Sequence, residues 1–168
     1  MKKLVMINGS MGVGKSTTCE HLSRLLSPSI YLDGDWCWQM NPFQVTEDTK
    51  VLVMKNIHQI LHNDLCCPAF DYVIFCWVMH HEEIVSQVLS GLTDIPFTSY
   101  LFTLTCTPEA LAERLNKDIA NGKREGAILS RSLKRLPLYE KMHSVKIDVS
   151  SLSAQEAALS IKHCLTQT

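Results

Sequence analysis

Residues 9–16 read Gly9-Ser10-Met11-Gly12-Val13-Gly14-Lys15-Ser16, with Thr17 directly after, and this stretch decides the fold. It satisfies the pattern G-x-x-x-x-G-K-[ST] in full. The apolar run Lys3–Ile7 before it reads as a buried strand. Lys15–Leu26 after it has helical spacing and stops at Ser27-Pro28. A glycine loop between a strand and a helix suits the binding of phosphate. Glycines let backbone N–H groups wrap phosphate oxygens, and the helix N-terminus adds positive potential. Lys15 is expected to reach the β- and γ-phosphates of a nucleotide, and the Ser16 hydroxyl to bind Mg²⁺.

Outward from this loop, strands and helices alternate. Strands are expected at Ile30–Asp33, Tyr72–Val78, Ser99–Thr105 and Val145–Val149. Helices are expected at Glu47–Leu65, Glu82–Leu92, Pro108–Lys117, Ser130–His143 and Ser153–Leu165. In the first of these the apolar positions are Val51, Met54, Ile57, Ile60, Leu61 and Leu65. Pro137 should kink the fourth, and Asn121–Gly126, with two glycines and three charges, should be a mobile loop. Five strands separated by helices imply an α/β domain, with a five-stranded parallel sheet covered by helices on both faces.

Composition narrows the field. Of 168 residues, 46% are apolar and 20% charged, which describes a globular chain and not a disordered one. Seventeen acids against 16 bases leave a net charge of −1, without the basic excess of a general nucleic-acid binder. No apolar run approaches the roughly 20 residues of a membrane helix. Met1–Ile7 imitates a leader, but Asn8-Gly9 cuts it short, so a cytoplasmic protein is expected. The seven cysteines contain no Cys-x-x-Cys. Cys19, Cys66, Cys76, Cys106 and Cys164 lie in or beside apolar patterns and read as buried reduced thiols. His58 and His62, at i and i+4 without a third ligand, read as a solvated helix face, and Cys66-Cys67 before Pro68 as a helix end.

A phosphate loop alone does not separate a kinase from a GTPase, a motor or a regulator. The base-reading Asn-Lys-x-Asp of GTPases is missed by Asn116-Lys117-Asp118-Ile119, and no Asp-x-x-Gly switch occurs. Tyr31-Leu32-Asp33-Gly34-Asp35 carries the decision further. It resembles the second-strand signature of small-molecule P-loop kinases: the Leu-Asp-Gly-Asp of adenylyl-sulfate kinases, the paired aspartates of shikimate kinases and, more loosely, gluconate kinases. Arg135-Leu136-Pro137-Leu138-Tyr139-Glu140 with Val145-Lys146-Ile147-Asp148 resembles the stretch after the lid of shikimate-type kinases. Glu113-Arg114-Leu115 resembles their adenine-flanking arginine.

The resemblance implies the P-loop NTPase fold and a single kinase domain over residues 1–168. An acceptor-binding region would span about 36–68 and a short lid about 117–132. It implies ATP and Mg²⁺, with Asp33 on the metal side, Asp35 taking the proton of the attacking hydroxyl, and Arg114 against the adenine. Arg124 or Arg131 would close over the transferring phosphoryl, and Arg135 would face the substrate. The strand period of two supports the aspartate pair, since residues i and i+2 point the same way. Two departures stand out. Val73–Val78 ends without the usual aspartate, which fits Asp33 as the metal-side acid. Met79-His80-His81 replaces the glycine triplet of shikimate kinases, which argues against shikimate.

Charge speaks to the acceptor. Residues 29–100 hold nine acids, two lysines (Lys50 and Lys55) and no arginine, whereas 114–146 hold nine bases against three acids. An anionic acceptor would meet the wrong sign in the first region, so a neutral or cationic hydroxyl compound is favoured. Arg131 and Arg135 weaken that argument, because a closing lid could bring them to an anion. Trp36, Trp38, Met40, Phe43 and Trp77 could wall the site, and His80 or His81 could touch substrate. The expected activity is transfer of the γ-phosphoryl group to a small-molecule hydroxyl, by a monomer or weak homodimer, with no membrane or nucleic-acid partner. The alternatives are a nucleotide-binding regulator without acceptor chemistry and a polynucleotide 5′-hydroxyl kinase.

Overall fold

The structure is a computed structural model that describes residues 1–123 and 126–167. The strands are β1 (Lys2–Gly9), β2 (Ser29–Asp33), β3 (Tyr72–Cys76), β4 (Phe97–Thr105) and β5 (Val145–Asp148). The helices are α1 (Lys15–Leu25), α2 (Glu47–Cys66), α3 (Glu82–Ser90), α4 (Pro108–Ala120), α5 (Ile128–Glu140) and α6 (Ala154–Thr166). A 3-10 turn, Gly34–Trp38, follows β2. The strands form one sheet, all parallel, in the order β2-β3-β1-β4-β5.

The layers follow from alternation along β1. Leu4 and Met6 face one side and pack with Val53, Ile57, Leu61 and Leu65 of α2 and Val85 and Val88 of α3. Val5 and Ile7 face the other and pack with Cys19 and Leu22 of α1, Leu111 and Leu115 of α4, and Ile161 and Leu165 of α6. Side chains start the helices where the sequence places capping residues. Thr46 and Thr49 form a reciprocal cap on α2, as do Ser153 and Glu156 on α6.

Topology fixes where a ligand can sit. After β1 the chain turns toward β2, whereas after β3 it crosses β1 toward β4. The connections diverge between neighbouring strands, and the crevice lies beyond their C-terminal ends. Gly9 ends β1 there, so the phosphate loop enters the crevice directly.

Several expectations need correction. On α2 the buried stripe is Val53, Ile57, Leu61 and Leu65, at four-residue steps, while Val51 and Ile60 are exposed. Cys66 is exposed at the end of α2 and Cys164 is half-buried; only Cys19, Cys76 and Cys106 of the five are buried thiols. The two histidines are half-buried and not wholly solvated, one bonded to α3 and the other to the turn after it. His58 Nε2 donates to the Gln87 carbonyl at 2.8 Å, and His62 Nε2 lies 3.1 Å from Asp94 Oδ2. β3 stops at Cys76, two residues early, although the Trp77 N–H still donates to the Ile7 carbonyl of β1 at 3.3 Å. The helices on either side of residues 117–132 run further into that segment than their spacing implied. α4 runs to Ala120 and α5 starts at Ile128, continuing through Pro137. The expected mobile segment 121–126 includes residues 124 and 125, which lie outside the described residues. Among the described residues no helix is long and apolar enough to cross a membrane.

Candidate active site

The loop between β1 and α1 is held by backbone geometry and by its neighbours. Gly12 has φ 84°, and a Cβ there would stand 2.4 Å from Leu115 Cδ2 on α4, so only glycine fits. Ser10 Oγ donates to the Ser132 carbonyl of α5 at 3.2 Å, which ties the loop to the helix above it. Lys15 Nζ donates to the carbonyls of Gly9 and Ser10, both at 3.0 Å. Burial draws the Lys15 ammonium below its ordinary pKa, with Cys76, Asp35 and Asp33 acting in the opposite direction.

Asp33, at the end of β2 and 6% exposed, gathers the polar groups beside this lysine. Its Oδ2 accepts from Ser16 Oγ at 2.7 Å and from Tyr31 OH at 3.1 Å. Its Oδ1 accepts from the Asp35 backbone N–H at 3.0 Å. Tyr31 OH also lies 3.2 Å from Cys76 Sγ. Burial pushes the Tyr31 phenol well above its usual range, so it remains a donor. The carboxylate is therefore aimed by three hydrogen bonds before any ligand arrives.

Asp35 is not on the strand, as the period-two reading assumed. It belongs to the 3-10 turn that Asp33 caps, and it is exposed. The two carboxylates consequently differ in environment: one buried and fixed, one at the mouth of the crevice.

Three concave spaces meet this core. A pocket of about 160 Å³ is bounded by Gly12, Lys15, Ser16, Asp33, Asp35 and Asp118. A pocket of about 180 Å³ lies between Gly14, Thr17, Arg114, Val149, Leu152 and Ala157. Arg114 braces it, donating to the Val13 carbonyl at 3.1 Å and to the Val149 carbonyl. A cleft of about 700 Å³ opens on the opposite side of Asp35, between Trp38, Met40, Phe43, Trp77, His80 and Arg135.

The sequence-derived residues distribute as follows. Gly9 to Thr17, Asp33 and Asp35 come together, and Arg114 borders the second pocket. Trp77, His80 and Arg135 border the cleft with Asp35. Trp77 reaches it because Gly34 lets the indole lie on the 3-10 turn, where a Cβ would stand 2.6 Å from the ring. Burial, with Arg135 and His81 beside it, lowers the His80 pKa, so the imidazole is mostly neutral near pH 7. Trp36 is elsewhere: 54% exposed, edge-on to Tyr31 at 5.3 Å, and outside the cleft lining. Arg131 is exposed on α5, its Nη2 3.9 Å from Met11 Sδ. Arg124 lies outside the described residues.

Sequence reasoning missed two things. Tyr31 was within the quoted signature, and its place two residues before Asp33 was the signal that both side chains share a face of β2. The wall of the second pocket, Val149 and Leu152 of the loop after β5 and Ala157 of α6, carries no motif; only the position of that loop after the last strand pointed to it.

The donors fit magnesium and a nucleotide. A hydroxyl and a carboxylate oxygen stand together beside a half-buried lysine, the hard ligands Mg²⁺ takes when phosphates and water supply the rest. No cluster of three or more His, Cys, Asp or Glu side chains that would make an all-protein metal site occurs among the described residues.

A family model described as an AAA domain matches residues 5–133. The structure is similar to the tunicamycin resistance protein of Deinococcus radiodurans, with 20% identity and TM-score 0.68 over 98% of this chain and 96% of that one. It is similar to a gluconokinase from Sinorhizobium meliloti, with 16% identity and TM-score 0.68 over 98% and 94%. It is also similar to shikimate kinase from Bacteroides thetaiotaomicron, with 17% identity and TM-score 0.62 over 98% and 96%. No curated protein sequence matches the chain. The fold is the α/β P-loop NTPase fold, in the form these small-molecule kinases share.

Proposed function

The chain belongs to the AAA domain family, and from the site it carries we propose that it is an ATP-dependent kinase that phosphorylates a hydroxyl of a small molecule. The carrying observation is that Asp35 and Met11 border both the phosphate pocket and the apolar cleft. A nucleotide on one side and an acceptor on the other would meet at one carboxylate.

The division of labour follows from environment. Backbone N–H groups of Gly12–Thr17 and the α1 N-terminus would cradle the phosphates, and the Lys15 ammonium, released from the two carbonyls, would turn to them. Ser16 and Asp33 would hold Mg²⁺, whose positive charge would offset that of the phosphates. The pocket braced by Arg114 would take the adenine. Asp35, exposed at the cleft mouth, would orient the acceptor hydroxyl. The hydroxyl oxygen bonds to the γ-phosphorus as the bond to the β–γ bridging oxygen breaks. ADP leaves with that electron pair, and the hydroxyl proton passes to Asp35. Arg131, at the start of α5 above Met11, would cover the transferring group, and Arg135 and His80 would contact the acceptor. Among the described residues the cleft offers a single arginine and an acid, not a paired-arginine clamp, which favours a neutral or cationic acceptor over an anion.

The test is transfer of labelled γ-phosphate from ATP with Mg²⁺ to a panel of polyols, sugar acids, amino alcohols and apolar alcohols. Labelled organic phosphate that requires Lys15 supports the reading. ATP binding without transfer to any acceptor overturns it in favour of a nucleotide-sensing protein.

A further inference from the structure

The acceptor cleft does not end at its aromatic wall. A second concavity, about 450 Å³, runs between α2 and α3 and shares Trp38, Trp77 and Ile84 with the cleft. Val51 and Met54 of α2 extend its apolar surface, and Glu47, Lys50, Lys55, His58 and Gln87 complete its lining. Val51 is 55% exposed, apolar on the groove side of a helix whose core stripe lies elsewhere. From Asp35 at the phosphate end to Val51 at the far end, one contiguous run of lining residues passes two indole rings.

The chemistry of that run selects an occupant. A polyol or sugar needs a polar partner for each buried hydroxyl, and each one left unpaired weakens binding. Among the described residues, the polar side chains of the cleft are Asp35, Gln39, His80 and Arg135, and the rest of its wall is tryptophan, methionine, phenylalanine, valine and isoleucine. About 700 Å³ suits a drug-sized ligand, well beyond what one hydroxyl head requires. Resting on the kinase reading above, we propose that the acceptor is an amphipathic alcohol. Its hydroxyl sits at Asp35, and its extended apolar body lies along Trp38 and Trp77 and continues into the α2–α3 groove.

The three tryptophans of the chain are Trp36, Trp38 and Trp77, two of which line the cleft, so intrinsic fluorescence reports occupancy independently of transfer. The probes are 2-phenylethanol, 4-phenyl-1-butanol and 6-phenyl-1-hexanol, against xylitol and gluconate. Each is titrated by fluorescence and assayed for phosphoryl transfer from MgATP. The proposal expects the phenylalkanols to bind and accept phosphate, with affinity and kcat/KM rising by up to about fourfold per methylene. Val51→Glu, a change at an exposed position, should flatten the gain between the four- and six-carbon members.

Better binding and transfer with xylitol or gluconate overturns this inference and leaves the kinase reading standing. Transfer to neither class overturns the kinase reading and this inference with it. An undiminished length dependence in Val51→Glu removes the groove from the acceptor's path and overturns the proposal of an extended body.

Discussion

Around the phosphate loop, backbone does most of the work: glycine dihedrals, N–H groups at the start of α1, and carbonyls that hold Lys15. In the cleft across Asp35 it is side chains, gathered from the 3-10 turn, the residues beyond β3, α3 and α5. The first region is polar, small and braced on every side, with Ser10 tied to α5 and Arg114 to two carbonyls. The second is apolar, about four times larger by its 700 Å³ against 160 Å³, and open toward α2. Backbone chemistry admits one kind of ligand, while a side-chain wall can change its ligand with a few substitutions. A kinase can in this way keep its donor site and vary its acceptor.

If the two regions are separable, each variant should disturb one and spare the other. The largest effect belongs to the carboxylate between them. Asp35→Asn keeps the size and a hydrogen bond but is a far poorer base. Steady-state transfer should fall by about 10²–10⁴ with MgATP affinity within a few-fold. Lys15→Ala should cost about 10²–10³ in kcat through lost stabilisation of the phosphoryl charge, with an unchanged circular dichroism spectrum. Near-normal turnover in that variant would sink the donor assignment. Trp77→Ala should raise the acceptor KM by about 10-fold through lost apolar contact, while the KM for MgATP stays within about twofold. Equal shifts in both constants would erase the boundary between the regions. The smallest effect is expected of Tyr31→Phe, which removes one of three hydrogen bonds to Asp33. It should raise the Mg²⁺ half-saturation point by up to about 10-fold and leave the acceptor KM alone.

The same contrast governs what was legible in the sequence. Gly9–Ser16 was readable because its chemistry is local: glycines, a lysine and a hydroxyl at fixed spacing in one turn. The alternating apolar runs gave the five parallel strands and both covering layers, because each run meets the sheet through its own period. Asp33 and Asp35 were found as a pair for a partly mistaken reason. The chain bends into a 3-10 turn at Gly34, so their difference in burial comes from the turn and not from shared strand geometry. Val51 counts among the apolar positions of α2 beside true core residues, because helical spacing cannot separate a face that packs on the sheet from one that lines a groove. Trp36 was placed in the cleft from its neighbours in sequence, yet packing against Tyr31 takes it away. The acceptor wall as a whole draws on residues from positions 11 to 135, and no local pattern announces such an assembly.

The central claim is that Asp33 serves the metal and nucleotide while Asp35 serves the acceptor, and one titration tests it without knowledge of the acceptor. A fluorescent ATP analogue is titrated into Asp33→Asn and Asp35→Asn across a Mg²⁺ series. The account predicts that Asp33→Asn weakens binding and is partly restored by more Mg²⁺, whereas Asp35→Asn follows the unaltered protein. A shifted Mg²⁺ dependence in Asp35→Asn with none in Asp33→Asn would contradict it and reverse the two roles.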